Sequence, residues 1–125
     1  MDVAADRPFK RCGSCGQRWG SWEDFVGDPA VKLLGLQAMP AVPDASVLVF
    51  EHACGSSISV LTRRLHHLLP ADHPAAAWPS LRGTEQCARH CFALADQVPC
   101  DRHCRNARDR ELLVLVQARK GRSDD

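Results

Sequence analysis

Apolar residues come in short bursts whose spacing changes along the chain, so several different elements are predicted. From Ser46 to His52 the chain reads Ser-Val-Leu-Val-Phe-Glu-His, rich in β-branched and aromatic residues, which predicts a strand. Cys54-Gly55-Ser56-Ser57 breaks it. The alternation of Ile58 and Val60 about Ser59 predicts a second strand returning as a hairpin. Leu61, Leu65, Leu68 and Leu69 share one helical face, with Arg63, Arg64, His66 and His67 off it, and Pro70 ends that predicted helix. Upstream, Ser21 followed by an acid three residues on is a capping-box-like start, predicting a short helix through about Val26. Asp28-Pro29 reads as a second helix start, with Val31, Leu33, Leu34 and Leu36 as its apolar side. Residues 37–45, containing Pro40 and Pro43, and residues 70–83, containing Pro70, Pro74, Pro79 and Gly83, read as loops. Thr84 caps a predicted helix through about Ala95, with Cys87, Cys91, Leu94 and Val98 on one face and Pro99 closing the segment. A last helix is predicted from about Asp101 to Arg119. Its apolar tail, Leu112 to Val116, leaves a strand as the alternative, but the length and the Arg, Ala and Glu content favour helix.

The chain has 125 residues, 45% hydrophobic and 25% charged, which suits one compact domain and argues against wholesale disorder. Sixteen Lys and Arg against fifteen Asp and Glu give a net charge of +1, which excludes a strongly basic nucleic-acid protein as the global theme. No apolar run approaches the ~18–20 residues needed to cross a bilayer, and no membrane partner is expected. The departure from the ordinary is seven Cys beside six His. Acids and Pro8 interrupt the first eleven residues and no apolar leader segment follows, so no secretory signal is expected. An odd cysteine count leaves one thiol unpaired in any disulfide scheme. Both points favour a reducing cytoplasm in which the thiols serve a metal.

Two clusters carry that chemistry. Cys12 and Cys15 form a C-x-x-C turn, and two thiolates so spaced grip one tetrahedral ion because Zn–S bonds of about 2.3 Å need convergent donors. Gly13 and Gly16 permit the backbone angles of such a turn. His52 and Cys54 supply the second half, since residues two apart on a strand point to one side. The result is a Cys3His site resembling a zinc ribbon in general form, although only one residue separates its second pair of ligands. His66, His67 and His73 are the substitutes for His52. The second cluster repeats C-x-R-H-C: Cys87 with Cys91, then Cys100 with Cys104. On a helix, residues four apart are neighbours, so each pair is a clip and two clips can hold a second Zn2+ or one iron–sulfur cluster. A disulfide-stapled helical hairpin, Cys87 with Cys104 and Cys91 with Cys100, is the rival. His90 and His103 point away from the thiols and are read as solvent-facing or as hydrogen-bonding support.

The predicted fold is therefore α+β: a small metal-stabilised single domain, 1–125. Residues 8–69 form a β-hairpin with zinc knuckles, 70–83 a linker loop and 84–119 a Cys-bearing helical hairpin. Two closed four-ligand sites leave no open coordination position, and a zinc enzyme needs one together with a nearby base. Neither a G-x-S-x-G, an H-E-x-x-H nor a kinase signature occurs. A non-catalytic adaptor or regulatory module with a protein partner is expected. The alternatives are a redox or sensor protein working through Cys87, Cys91, Cys100 and Cys104, and a nucleic-acid-binding module. The latter would use Arg102–Arg122, where seven cations stand against Asp109 and Glu111. Trp19, Trp22 and Phe25, at near-helical spacing, are expected to pack over the first site.

The string C-x-x-C-G-x-x-W, then Ser-Trp-Glu-Asp-Phe, Asp-Pro-x-Val and His-x-Cys-Gly-Ser, resembles a group of small, uncharacterised bacterial Cys-rich proteins. The stretch from Gly83-Thr84-Glu85 to Cys104 is similar too, so the resemblance covers most of residues 9–118. It carries no established activity and implies metal binding alone.

Overall fold

The computed structural model describes residues 8–39, 45–81 and 84–123. The first seven residues, which bear on the leader expectation, lie outside that range. So do Pro40 and Pro43 of the first predicted loop, and Gly83 at the end of the second.

The fold is mixed α+β, with two small antiparallel sheets and a C-terminal helix. Strands β1 (Lys10–Arg11) and β2 (Arg18–Trp19) form a two-stranded ribbon in which Lys10 faces Trp19 and Arg11 faces Arg18. Helix α1 (Trp22–Val26) follows as predicted. The Ser21 side chain accepts from the Asp24 N–H at 3.1 Å, supplying one of the partners that a helix start otherwise lacks. Strands β3 (Val31–Gln37), β4 (Val47–His52) and β5 (Ser57–Leu61) make the second sheet in sequence order. The β4–β5 hairpin is the predicted one. Helix α2 (Ala107–Ser123) closes the chain, and Leu112 to Val116 lie within it rather than in a strand.

Four predicted elements are corrected. The helix expected after Asp28-Pro29 is strand β3. A β-bulge between Leu33 and Gly35 inserts an extra residue against β4, so the apolar side chains no longer alternate and their spacing imitates a helical face. The Leu61–Leu69 helix is two three-residue 3-10 turns, Thr62–Arg64 and His66–Leu68. The helix expected from Thr84 to Ala95 reduces to a single 3-10 turn, His90–Phe92. The last helix begins at Ala107, after all four later cysteines, not at Asp101. The C-terminal part is thus an irregular Cys-bearing segment and one helix in place of a helical hairpin.

The core lies between the second sheet, α1 and α2. Phe25, Leu36, Leu48, Phe50, Val60, Leu112, Leu113 and Val116 are buried there. Phe25 stands edge-on to Phe50 at 4.9 Å and to Trp19 at 5.0 Å, a geometry that sets ring edges against ring faces. Trp19, Trp22 and Phe25 are therefore core residues, as expected. Lys120 on α2 donates to the carbonyls of Val26 and Asp28 at 2.8 and 2.9 Å, joining the two helices where α1 ends. Residues 70–81 lead from the sheet to the Cys-bearing segment without a strand or an α-helix. Their 3-10 turn, Pro74–Ala77, starts with the His73 side chain accepting from the Ala75 N–H, and Ser80 donates to Asn106 just before α2. No helix among the described residues is long and apolar enough to cross a membrane.

Candidate metal centre

Two turns face each other at one end of the sheets. The first spans Cys12–Gln17 between β1 and β2. It is closed by Cys12 N–H to the Gln17 carbonyl (2.8 Å) and Gly16 N–H to the Cys12 carbonyl (3.0 Å). The second spans His52–Ser56 between β4 and β5. His52 N–H reaches the Ser56 carbonyl at 2.9 Å and Gly55 N–H the His52 carbonyl at 2.8 Å. Gly16 (φ 82°) and Gly55 (φ 94°) are left-handed, a conformation that a Cβ would strain. Cys54 therefore meets His52 because the hairpin turn curls back, not because both sit on one strand face. Ala53 N–H donates to the Ala30 carbonyl at 2.9 Å, fastening the second turn to the start of β3.

The four expected donors converge. Sγ of Cys12, Cys15 and Cys54 and a ring nitrogen of His52 all lie within 4.8 Å of one another. Cys12 Sγ is 3.6 Å from Cys54 Sγ, and His52 Nδ1 is 3.6 Å from Cys15 Sγ and 3.2 Å from Cys54 Sγ. A tetrahedral zinc with Zn–S of about 2.3 Å and Zn–N of about 2.0 Å sets donor–donor edges of roughly 3.5–3.8 Å. The observed separations fit that frame, so this Cys3His set could hold one metal ion. His52 is the imidazole at the site. Among the substitutes, His66 is bonded to Asp109 at 2.8 Å, His73 is bonded to Glu111, and His67 is exposed on its turn.

No family model, curated protein or solved structure matches this chain. The family resemblance thus rests on its motif residues alone, and the chemistry of the site rests on geometry.

The surroundings favour thiolates at Cys12 and Cys54. The Ser56 hydroxyl lies 3.1 Å from Cys12 Sγ and 3.1 Å from Cys54 Sγ. That hydroxyl, with the backbone N–H groups of Cys15 and Ser14, lowers the Cys12 thiol to about 5. Cys54 is lowered as well, first by the Ser56 hydroxyl, then by the Ser56 N–H and by His52. At Cys15 the Gln17 N–H pulls downward, but loss of solvent and the neighbouring sulfurs of Cys12 and Cys54 outweigh it and push that thiol up. His52 is raised by its bond to Cys54 against the effect of burial. Three thiolates in contact repel one another, and a divalent cation between them removes that repulsion. Trp19 stands edge-on to the His52 ring at 5.2 Å, while its indole N–H donates to Asp28 at 2.9 Å. The aromatic core therefore orients the imidazole from behind.

The second cysteine set is arranged differently. Cys87, Cys91, Cys100 and Cys104 all line one small cavity of about 20 Å3. Their sulfurs stand farther apart than the first set's donors, which form the one Cys, His and carboxylate group among the described residues that converges within 4.8 Å. All seven cysteines carry free thiols in the structure. The i, i+4 helical clips are absent, because neither pair lies on a helix. Burial pushes the Cys91 thiol up to about 11, against the pull of Arg110. His90 bonds Asp96 at 3.0 Å and His103 stacks on Trp78 at 4.4 Å, so neither ring is committed to a sulfur.

Two contributors escaped the sequence reading. Ser56 sits two residues after Cys54, where a Cys-Gly turn returns the chain to the sulfurs, and that spacing was its signal. Arg110, counted with the basic stretch, is fully buried. Its guanidinium donates to the carbonyls of Val98 (2.6 and 3.0 Å), His90 (3.3 Å) and Asp96 (2.6 Å), and to the Asp96 carboxylate at 2.9 Å. It holds the Cys-bearing segment against α2. Only its place on the apolar side of α2, beside Leu113, hinted at burial.

Proposed function

We propose that the protein is a non-catalytic module folded around zinc at Cys12, Cys15, His52 and Cys54, and that it acts by binding another protein. The observation that carries this reading is the donor set itself: four protein atoms lie within 4.8 Å of one another, and four ligands fill the coordination of a structural zinc. Three thiolates and an imidazole are a borderline-soft set that suits Zn2+. Closing the first and second turns onto one ion joins segments 36 residues apart in the chain. The chain entropy of that closure, roughly 3 kcal/mol plus a constant, is small beside the ~10–16 kcal/mol that structural zinc returns.

A protein partner is favoured by exposed apolar side chains. Met39, Phe92 and Leu94 line one groove beside β3 and stand about 39%, 49% and 40% exposed. Nucleic-acid binding draws less support, since Arg110 and Lys120, two of the seven basic side chains in that stretch, spend their donors on internal carbonyls.

Elemental analysis with X-ray absorption on the purified full chain tests the reading. Bound zinc with three sulfur neighbours and one nitrogen neighbour at the first site, and no water oxygen, is the expected result. A coordinated water that exchanges with added small ligands, or a chain that folds cooperatively with no metal, contradicts it.

A further inference from the structure

We propose that Cys87, Cys91, Cys100 and Cys104 form a second metal centre, a four-thiolate site for a single Zn2+ that draws the segment 84–106 together. This goes beyond the first site and does not depend on it.

All four sulfur-bearing residues border the same cavity, although the chain between Cys87 and Cys104 has no regular element apart from the His90–Phe92 turn. Nothing in local propensity gathers four thiols about one point in so irregular a segment. The cavity, at about 20 Å3, is close to the 10–15 Å3 minimum that admits one water-sized sphere. That volume admits one ion. The sulfurs also receive backbone N–H groups. Arg89 N–H points at Cys87 Sγ (3.4 Å) and Leu81 N–H at Cys104 Sγ (3.2 Å). The first of these repeats what the first centre does, where the amide two residues after Cys15 and the amide two residues after Cys54 turn to the sulfur. Arg89 itself takes φ 69°, the one left-handed non-glycine residue among those described, and so turns the chain into the His90–Phe92 turn that bears Cys91. A bulky residue held there is strained, and such strain is retained where a site requires it.

Charge completes the case. Zn2+ displaces four thiol protons and leaves a centre of net charge −2. Arg102 lines the cavity, and the buried guanidinium of Arg110 is fixed to the same loop by three carbonyls and Asp96. Tetrahedral Zn–S bonds of about 2.3 Å require S–S edges of about 3.8 Å, closer than this set now stands, so binding contracts the loop onto the ion.

The test uses the full chain purified under reducing conditions and freed of loosely held metal. Wild-type protein should retain two zinc per chain, and the Cys91→Ser/Cys100→Ser variant one. In cobalt-exchanged wild type the charge-transfer intensity should include that of an ion held by four thiolates. Should the cysteine variant aggregate, cobalt-loaded wild type decides: seven cobalt–sulfur bonds per chain support the site, and three overturn it. One zinc per chain in both wild type and Cys91→Ser/Cys100→Ser overturns the proposal while leaving the first centre intact. One zinc that disappears in Cys91→Ser/Cys100→Ser supports the second centre and sinks the first. Iron with a visible chromophore, or peptides joined by Cys87–Cys104 or Cys91–Cys100 disulfides, overturns it.

Discussion

The two cysteine clusters each offer four donors, yet the backbone presents them in opposite ways. At Cys12, Cys15, His52 and Cys54, two glycine-bearing turns are mounted on antiparallel ribbons and closed by four backbone hydrogen bonds, and the donor atoms already lie within 4.8 Å. At Cys87, Cys91, Cys100 and Cys104 the 3-10 turn that bears Cys91 is the one regular element, and the sulfurs ring a cavity at wider spacing. A five- or six-residue hairpin turn costs little to order, so it can hold donors ready for an ion. A longer irregular loop costs more, because each residue fixed in one conformation loses about 1–2 kcal/mol of entropy. That loop is held instead by one buried guanidinium, whose donors take the carbonyls of His90, Asp96 and Val98.

The sharpest way to break this contrast is to remove a ligand from the preorganised side. Cys12→Ser should abolish cooperative thermal unfolding, read by circular dichroism, since the turn it occupies joins β1 and β2 to the sheet core. A sharp melt at the wild-type temperature would refute the structural role of the first centre. Arg110→Met acts on the other region. It strands buried carbonyls and the Asp96 carboxylate, and should cost about 3 kcal/mol in denaturant unfolding. Hydrogen exchange should rise across 84–106 while the first centre keeps its zinc. Gly35→Ala tests the seam between the two regions. A Cβ there would stand 1.7 Å from the Leu94 carbonyl oxygen, so the loop must move off β3, at about 1–3 kcal/mol. Equal stability of Gly35→Ala and wild type would show that the loop does not dock there.

Ser56→Ala is the mildest and bears on pH. Supporting hydrogen bonds to metal ligands are worth roughly 10–100-fold in affinity, and the lower end is expected for one half-buried hydroxyl. The Ser56 hydroxyl is the largest cause of the lowered Cys12 thiol at about 5. A depressed thiol stays ionised until the pH falls through its folded value, so protons compete for Cys12 only as the pH falls towards about 5, and zinc affinity should weaken as the pH is lowered. Without the hydroxyl the Cys12 thiol rises, protons compete earlier, and the release midpoint should move to higher pH. A midpoint unchanged in zinc-indicator titrations would remove Ser56 from the site.

Local chemistry made part of this molecule legible in one dimension. Ser21 caps α1 because capping involves residues three apart, and the β4–β5 hairpin follows from alternation broken at Cys54-Gly55. The set Cys12, Cys15, His52 and Cys54 was readable because C-x-x-C-G and H-x-C-G are turn signatures as well as ligand spacings. Strand β3 was not legible, because its bulge disrupts the period on which strands are recognised and only pairing with β4 reveals it. The Cys87–Cys104 segment was misread as helical because i, i+4 cysteines satisfy a helix on paper. In the folded chain the carbonyls of His90, Asp96 and Val98 bond to a guanidinium from α2, and Arg89 turns left-handed. The sequence by itself determined the first centre's three cysteine donors and its two turns, since those depend on neighbours in the chain. The tertiary structure decided which histidine joins them, that Arg110 is buried, and how the later cysteines face one cavity. Each of these depends on atoms distant in sequence, and no periodicity encodes such meetings.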